Sequence, residues 1–403
     1  MRRALLVALM VAVPLVAVGG WLGVRATGAE PAGAERTEPA GSVLNPHPAA
    51  GPFEVDDTTL DDCVGGAGDT RRCFEQAFGN VAYRTSAKEA LALVTARTAD
   101  LPEVASNCHR IVHTIGAAVL ARENGNVATA LAQGDSTCWS GFYHGLLERA
   151  LAPARSTGEL ARLIRTICDS TSQGWSTFMR YQCLHGIGHG LMLRTGNALD
   201  TSLDLCTKLA DQWSRQSCDG GVFMESFSPS LDDEPPPFDT ADPLAPCPDV
   251  SEGHKLYCYL QVADNLVRGR GYDWEQVAAD CRTEQAATWR AICFQGYGRQ
   301  ASGNNYGRPG EVAALCRSAG SSGEPECVYG AVRDIASNAA SGVPARAFCQ
   351  VVPGVLRGRC YEGMGTIIAT LETDESGVRA RCSELGGVYR RECELGAGLT
   401  PSA

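Results

Sequence analysis

Eighteen cysteines fall along this 403-residue chain at a nearly constant interval, and that rhythm limits the fold more than any other feature. Eight segments open on a cysteine and read alike: CWSGFYHG from Cys138, CLHGIGHG from Cys183, CDGGVFME from Cys218, CYLQVADN from Cys258, CFQGYGRQ from Cys293, CVYGAVRD from Cys327, CYEGMGTI from Cys360 and CELGAGLT from Cys393. The steps between them are 45, 35, 40, 35, 34, 33 and 33 residues. Seven of the eight carry Gly three residues after the cysteine; Gln261 is the exception. A second set, Cys168, Cys206, Cys247, Cys281, Cys316, Cys349 and Cys382, precedes the corresponding members of the first by 15, 12, 11, 12, 11, 11 and 11 residues. Agreement over so many units marks a repeat array, in which each unit buries its apolar face against its neighbours.

The unit reads as a helical hairpin of about 34 residues, and the fold class as all-α. An A helix ends near its cysteine, as in Val277 to Cys281 or Val312 to Cys316, and a B helix starts near its own cysteine and runs on, as from Tyr361 to Leu371. Glycines recur near the B starts (Gly186 and Gly188, Gly296 and Gly298, Gly363 and Gly365). Each costs about 1 kcal/mol against Ala in a helix. A cost repeated at one place predicts close backbone approach there. Bonding A to B closes loops of about a dozen residues, each worth about 2–4 kcal/mol. The expected bonds are Cys168–Cys183, Cys206–Cys218, Cys247–Cys258, Cys281–Cys293, Cys316–Cys327, Cys349–Cys360 and Cys382–Cys393, with Cys63–Cys73 as the same staple further upstream. Cys108 and Cys138 remain. Both sit at B positions whose A helices (Ala87 to Thr98, Asn126 to Gln133) lack cysteine, so their bond would join two units.

This layout resembles disulfide-stapled Sel1-like repeats, a branch of the tetratricopeptide-like superfamily, over most of residues 55–403. The Ala/Gly/Leu pattern and cysteine spacing differ from that family. The resemblance implies a right-handed α-solenoid with a long concave face and brings no active site with it.

So many cysteines also speak about compartment, because bonded thiols persist where conditions are oxidising. Arg2 and Arg3 precede an uncharged run from Ala4 to Val24, so residues 1–25 read as a signal peptide or a signal-anchor helix. The expected location is the cell membrane, with the repeat domain outside, or secretion if the segment is cleaved. Residues 26–54 are rich in Ala, Gly and Pro and read as a flexible tether to a repeat domain at 55–403. The formal net charge of −11 argues against a nucleic-acid partner. Residues 228–246, with six Pro and five acids, cannot continue a helix and read as an inserted loop.

The histidines break the repeat's symmetry. Five of seven lie at 109, 113, 144, 185 and 189, on three successive B helices; units from 201 to 403 are His-poor. His109 and His113 are four apart, as are His185 and His189, and His144 stands four before Glu148. Residues at i and i+4 share a helix face. Three stacked helices can therefore bring five imidazoles and a carboxylate to one spot. Such a donor set suits a transition metal (zinc, copper or iron) rather than calcium. His109, His113, His144, His185 and His189 are the candidate ligands, and Glu148 a ligand or catalytic base. Glu225, in the next unit, is a weaker candidate. His47 and His254 read as bystanders, and Trp139 and Tyr143 as packing residues. There is no HExxH, no GxxxxGK[ST], no G-x-S-x-G and no C-x-x-C.

The expected function is that of an exported, membrane-tethered metalloprotein, a hydrolase or oxidoreductase. The alternatives are a scaffold binding a protein or peptide on its concave face, and a metal carrier.

Overall fold

The computed structural model describes residues 42–47, 51–64, 69–168, 174–230 and 236–401. The expected signal or anchor, and the tether up to residue 41, lie outside them. Among the described residues the protein is all-helical, without strands apart from one isolated bridge between Val43 and Ser156. None of the described helices is long and apolar enough to cross a membrane.

The helices pack in neighbouring pairs. One row consists of Thr70–Arg84, Cys108–Arg122, Thr137–Ala150, Thr177–Thr195, Gln212–Phe227, Lys255–Gly269, Ala287–Asn304, Glu324–Asn338, Arg357–Leu371 and Arg390–Gly396. Each packs against the next in the row. Shorter outer helices, such as Leu199–Cys206 and Pro309–Ser318, brace them. All nine expected disulfides are present, and no cysteine is free. Cys108–Cys138 is the bond that joins units, as its spacing required. Each cysteine of the first set sits in the core except Cys138, which is partly buried against it.

The recurrent glycines do what their cost predicted. A side-chain carbon on Gly145 would overlap the His113 backbone, and one on Gly221 would overlap the His185 carbonyl. The same pairing recurs far along the array, with Gly330 against Gln295 and Gly396 against Glu362. Without Cβ atoms at these crossings, backbones meet directly. Gln261 replaces the glycine in the unit that begins at Cys258 and instead donates from its side chain to the Gly220 carbonyl, at 3.4 Å.

Three features depart from expectation. Cys247 does not end a helix: it lies in a run of turns, because the Pro-rich segment before it has replaced the A helix of that unit. The described end of the tether is not detached, since the His47 N–H donates to the Leu193 carbonyl at 2.8 Å and Asn80 Nδ2 donates to Asp56 just beyond it. Finally, the row curls until helix 324–338 meets helix 137–150 and helix 357–371 meets helix 177–195. Half-open cavities lie between the facing helices. Helix 177–195 is the consequence: every residue from Gln182 to Arg194 is buried, as befits a helix surrounded on all sides.

Candidate metal centre

Four consecutive helices of the row build the site. Helix 177–195 begins at Ser176, whose Oγ accepts from the Met179 N–H, and ends at Gly196 in the left-handed region (φ 67°). It carries His185 and His189. Helix 212–227 is capped by Asp211, which accepts from the Ser214 N–H at 2.9 Å, and carries Glu225. Helix 137–150 carries His144 and Glu148, and its first turn is unusual. Cys138, Trp139 and Ser140 all have positive φ, between 50° and 61°. Each such non-glycine residue costs about 1–2 kcal/mol. The turn aims the Cys138 carbonyl at helix 108–122, where it accepts from His109 Nδ1 at 2.7 Å.

All five histidines converge as the i, i+4 spacing required. Ring centroids are 4.7 Å apart for His109–His113, 5.3 Å for His113–His144, 4.4 Å for His144–His189 and 5.1 Å for His185–His189. His144, His185, His189, Glu148 and Glu225 are each 3 % exposed or less. His113 Nδ1 lies 2.9 Å from Glu148 Oε1, and His189 Nδ1 2.7 Å from Glu225 Oε2. Ser230, just past the helix, donates from its N–H and Oγ to Glu225 Oε1, at 2.6 and 2.8 Å, and its Oγ reaches Glu148 Oε1 at 3.3 Å. Three overlapping triads result: His109/His113/His144, His144/His185/His189 and Glu148/His189/Glu225. Within each, the ligand atoms lie within 4.8 Å of one another. These buried groups could hold a metal ion.

The hydrogen positions sharpen this. A carbonyl only accepts, so His109 Nδ1 carries the hydrogen and Nε2 presents a lone pair. Glu148 Oε1, 2.9 Å from His113 Nδ1 but outside hydrogen-bond geometry, favours a hydrogen there by its charge. The two Nε2 atoms are 3.1 Å apart. If both rings are neutral, two lone pairs face each other and need a cation between them, either an added proton or a metal. Two nitrogens bound tetrahedrally at about 2.0–2.1 Å stand roughly 3.3 Å apart, close to what is seen. Burial, with His113 as the next cause, holds His109 down at about 3. Burial first, and the other imidazoles second, keep His144 and His185 well below the ordinary value. These rings are therefore neutral rather than cationic. Burial pushes the Glu148 carboxyl up, but the adjoining His113 outweighs it and holds the group down, at about 2. His144 Nδ1, His189 Nε2 and Glu148 Oε2 are buried without a hydrogen-bond partner. Buried polar atoms are seldom left so, and three in one cluster fit an ion.

The cluster borders a half-open cavity of about 490 Å³, whose wall includes His109, His113, His189, Glu225, Trp139 and Arg299. Trp139, expected to pack between helices, thus faces the cavity, with its ring 6.4 Å from His109 and from Tyr306. Tyr143 is buried as expected. Glu148 is absent from the cavity wall; of the cluster's two carboxylates, Glu225 is the one that borders it. The elevation of Glu225 and the role of Ser230 are what sequence reasoning missed. Glu225 follows its cysteine by seven residues, one more than His144 and His189 follow theirs, so the repeat register hid it. His254 stays outside the cluster, its Nδ1 2.8 Å from Asp219. His47 lies beside Leu193 at the far end of helix 177–195.

No protein-family model matches the chain, and no curated protein or solved structure matches it.

Proposed function

We propose that the protein is a metal-dependent hydrolase acting on a small molecule, and that it works in an oxidising compartment outside the cytoplasm. The observation that carries the reading is the convergence of five imidazoles and two carboxylates, three of whose buried atoms lack partners, in a cluster of which His109, His113, His189 and Glu225 border a 490 Å³ cavity. His109, His113, His144, His185, His189 and Glu148 would hold the ion, or two ions. The neutral imidazole set suits zinc, copper or iron. A metal so held supplies Lewis acidity and an acidified water. Glu225, on the cavity wall and fixed by Ser230, is placed to accept a proton from that water. Cys138 fixes the tautomer of His109, as hydrogen bonds behind metal ligands do. Nine disulfides with no free thiol support the oxidising compartment. The size of the cavity supports a small substrate over a peptide lying along a concave face.

Elemental analysis of the purified protein after reconstitution tests the centre. One or two equivalents are expected in the wild type and fewer in His144→Ala/His189→Ala. Absence of stoichiometric metal from the wild type would overturn the proposal. A metal carrier is the second reading, favoured by a surplus of donors over the four that a zinc ion needs. Readily exchanged metal without hydrolysis of p-nitrophenyl esters or phosphates would select it.

A further inference from the structure

A second cavity of about 290 Å³ lies beyond the first, and Arg299 and Asp334 line both. Its wall differs from that of the metal centre. Four aromatic side chains line it, Phe178, Tyr181, Trp213 and Tyr257, in a chain only 7 % aromatic. Its charge is also distinctive. Arg299 is committed to Asp334, at 3.5 Å, and to the Gln261 side-chain oxygen. Arg333 lies against the Tyr329 ring (5.5 Å to its centroid), and among the described residues no carboxylate is within ion-pair distance of it. Its Nε is buried without a hydrogen-bond partner.

The phenols add donors. Tyr181 and Tyr257 both line the cavity, and Tyr181 Oη lies within hydrogen-bond distance of His185 Nδ1, at 3.3 Å. Thr366 and Thr370 donate their hydroxyl hydrogens to helix carbonyls. The chamber therefore combines flat apolar walls, one guanidinium without a carboxylate partner and two phenolic O–H groups. Arginine's planar fork matches a carboxylate, and mostly apolar walls with a few convergent polar groups are the usual make-up of a small-ligand site.

We propose that this second cavity binds a small aromatic carboxylate, with its ring among the four aromatic side chains and its carboxylate on Arg333. Tyr257 supplies a further hydrogen bond. Arg333, Trp213 and Tyr257 are not among the proposed metal ligands, although Tyr181 touches His185 at 3.3 Å, so the carboxylate contact does not rest on the metal reading.

Calorimetric titration of the full-length protein with benzoate, and with its neutral isostere benzamide, tests this. Benzoate should bind at least about tenfold more tightly than benzamide, which is the scale of one charge-assisted contact. Arg333→Met should abolish that preference while keeping weak benzamide binding, which shows that the variant is folded. Arg333→Lys should keep part of the preference. Trp213→Ala should weaken both ligands. His144→Ala/His189→Ala should leave benzoate binding unchanged. Equal affinities for the two ligands in the wild type would overturn the proposal. So would benzoate binding that survives Arg333→Met but disappears with the two histidines, since the carboxylate would then be a metal ligand.

Discussion

Replacing Gly221 with Ala tests how the centre is assembled. Gly221 sits where helix 212–227 crosses helix 177–195. A methyl carbon there would overlap the His185 carbonyl oxygen and stand 3.0 Å from both the His185 carbonyl carbon and the His189 nitrogen. Non-bonded carbons rest at about 3.5–4.0 Å, so the backbones must part by at least about half an ångström, and by more at the oxygen. All three neighbours are backbone atoms, so no side chain can swing aside to make room. Overpacking of this kind costs about 1–3 kcal/mol. Alanine's better helix propensity returns about 0.5–1 kcal/mol, leaving a net loss of about 1–2 kcal/mol. At about 2–4 °C per kcal/mol, the melting midpoint should fall by roughly 2–8 °C. The same displacement draws Glu225 away from His189, now at 2.7 Å, and should reduce metal loading. Circular dichroism melts of the oxidised protein, with elemental analysis on the same samples, read both effects. Gly310→Ala is the control: nothing lies within 4 Å of a methyl there, so its midpoint should stay level or rise slightly. A Gly221→Ala protein as stable as wild type, with full metal loading, would refute the close-approach argument.

Three further outcomes are expected. Removing one staple by Cys206→Ala/Cys218→Ala opens a loop of separation 12 and should cost about 3 kcal/mol, read from urea midpoints; an unchanged midpoint would contradict the entropic account. In metal-free protein, burial depresses His109, His144 and His185 below their unfolded value. Their neutral forms therefore contribute full stability above about pH 6.5, and that stability falls as pH drops toward the folded values, by up to about 1.4 kcal/mol per pH unit for each ring; a flat urea midpoint between pH 7.5 and 5.5 would refute this. Glu225→Gln should retain most of its metal but lower hydrolysis of p-nitrophenyl esters by about 100-fold or more, and equal turnover would remove Glu225 from the proton-transfer role.

Much of this was legible in the cysteines and histidines because both obey short-range rules. A staple between positions about a dozen residues apart is local, and an i, i+4 pair needs only a helix to align it. Stacking adjacent units then brings His109, His113, His144, His185 and His189 together without any long-range information. What escaped is what depends on the third dimension at larger range. Glu225 reaches the cluster from one residue off the repeat register. Ser230 enters from a loop with no periodicity. The left-handed turn at Cys138–Ser140 follows from fitting a bond between units, not from any local glycine. Closure of the row onto itself is a sum of small rotations at every crossing, which no single unit's residues encode. The missing helix before Cys247 was partly announced by its prolines, although the cysteine spacing concealed it.

The nine disulfides share a property that matters before the fold exists: in every one, the partners are consecutive cysteines in the chain. A chain threaded N-terminus first into an oxidising space would present each thiol with its correct mate as the next to arrive. Order of emergence alone would then specify the pairing, and a simple oxidant would serve without a proofreading isomerase. Staged oxidation of a lengthening nascent chain, mapped by mass spectrometry, should show only sequential bonds at every length; long-range intermediates would show that proofreading is needed after all.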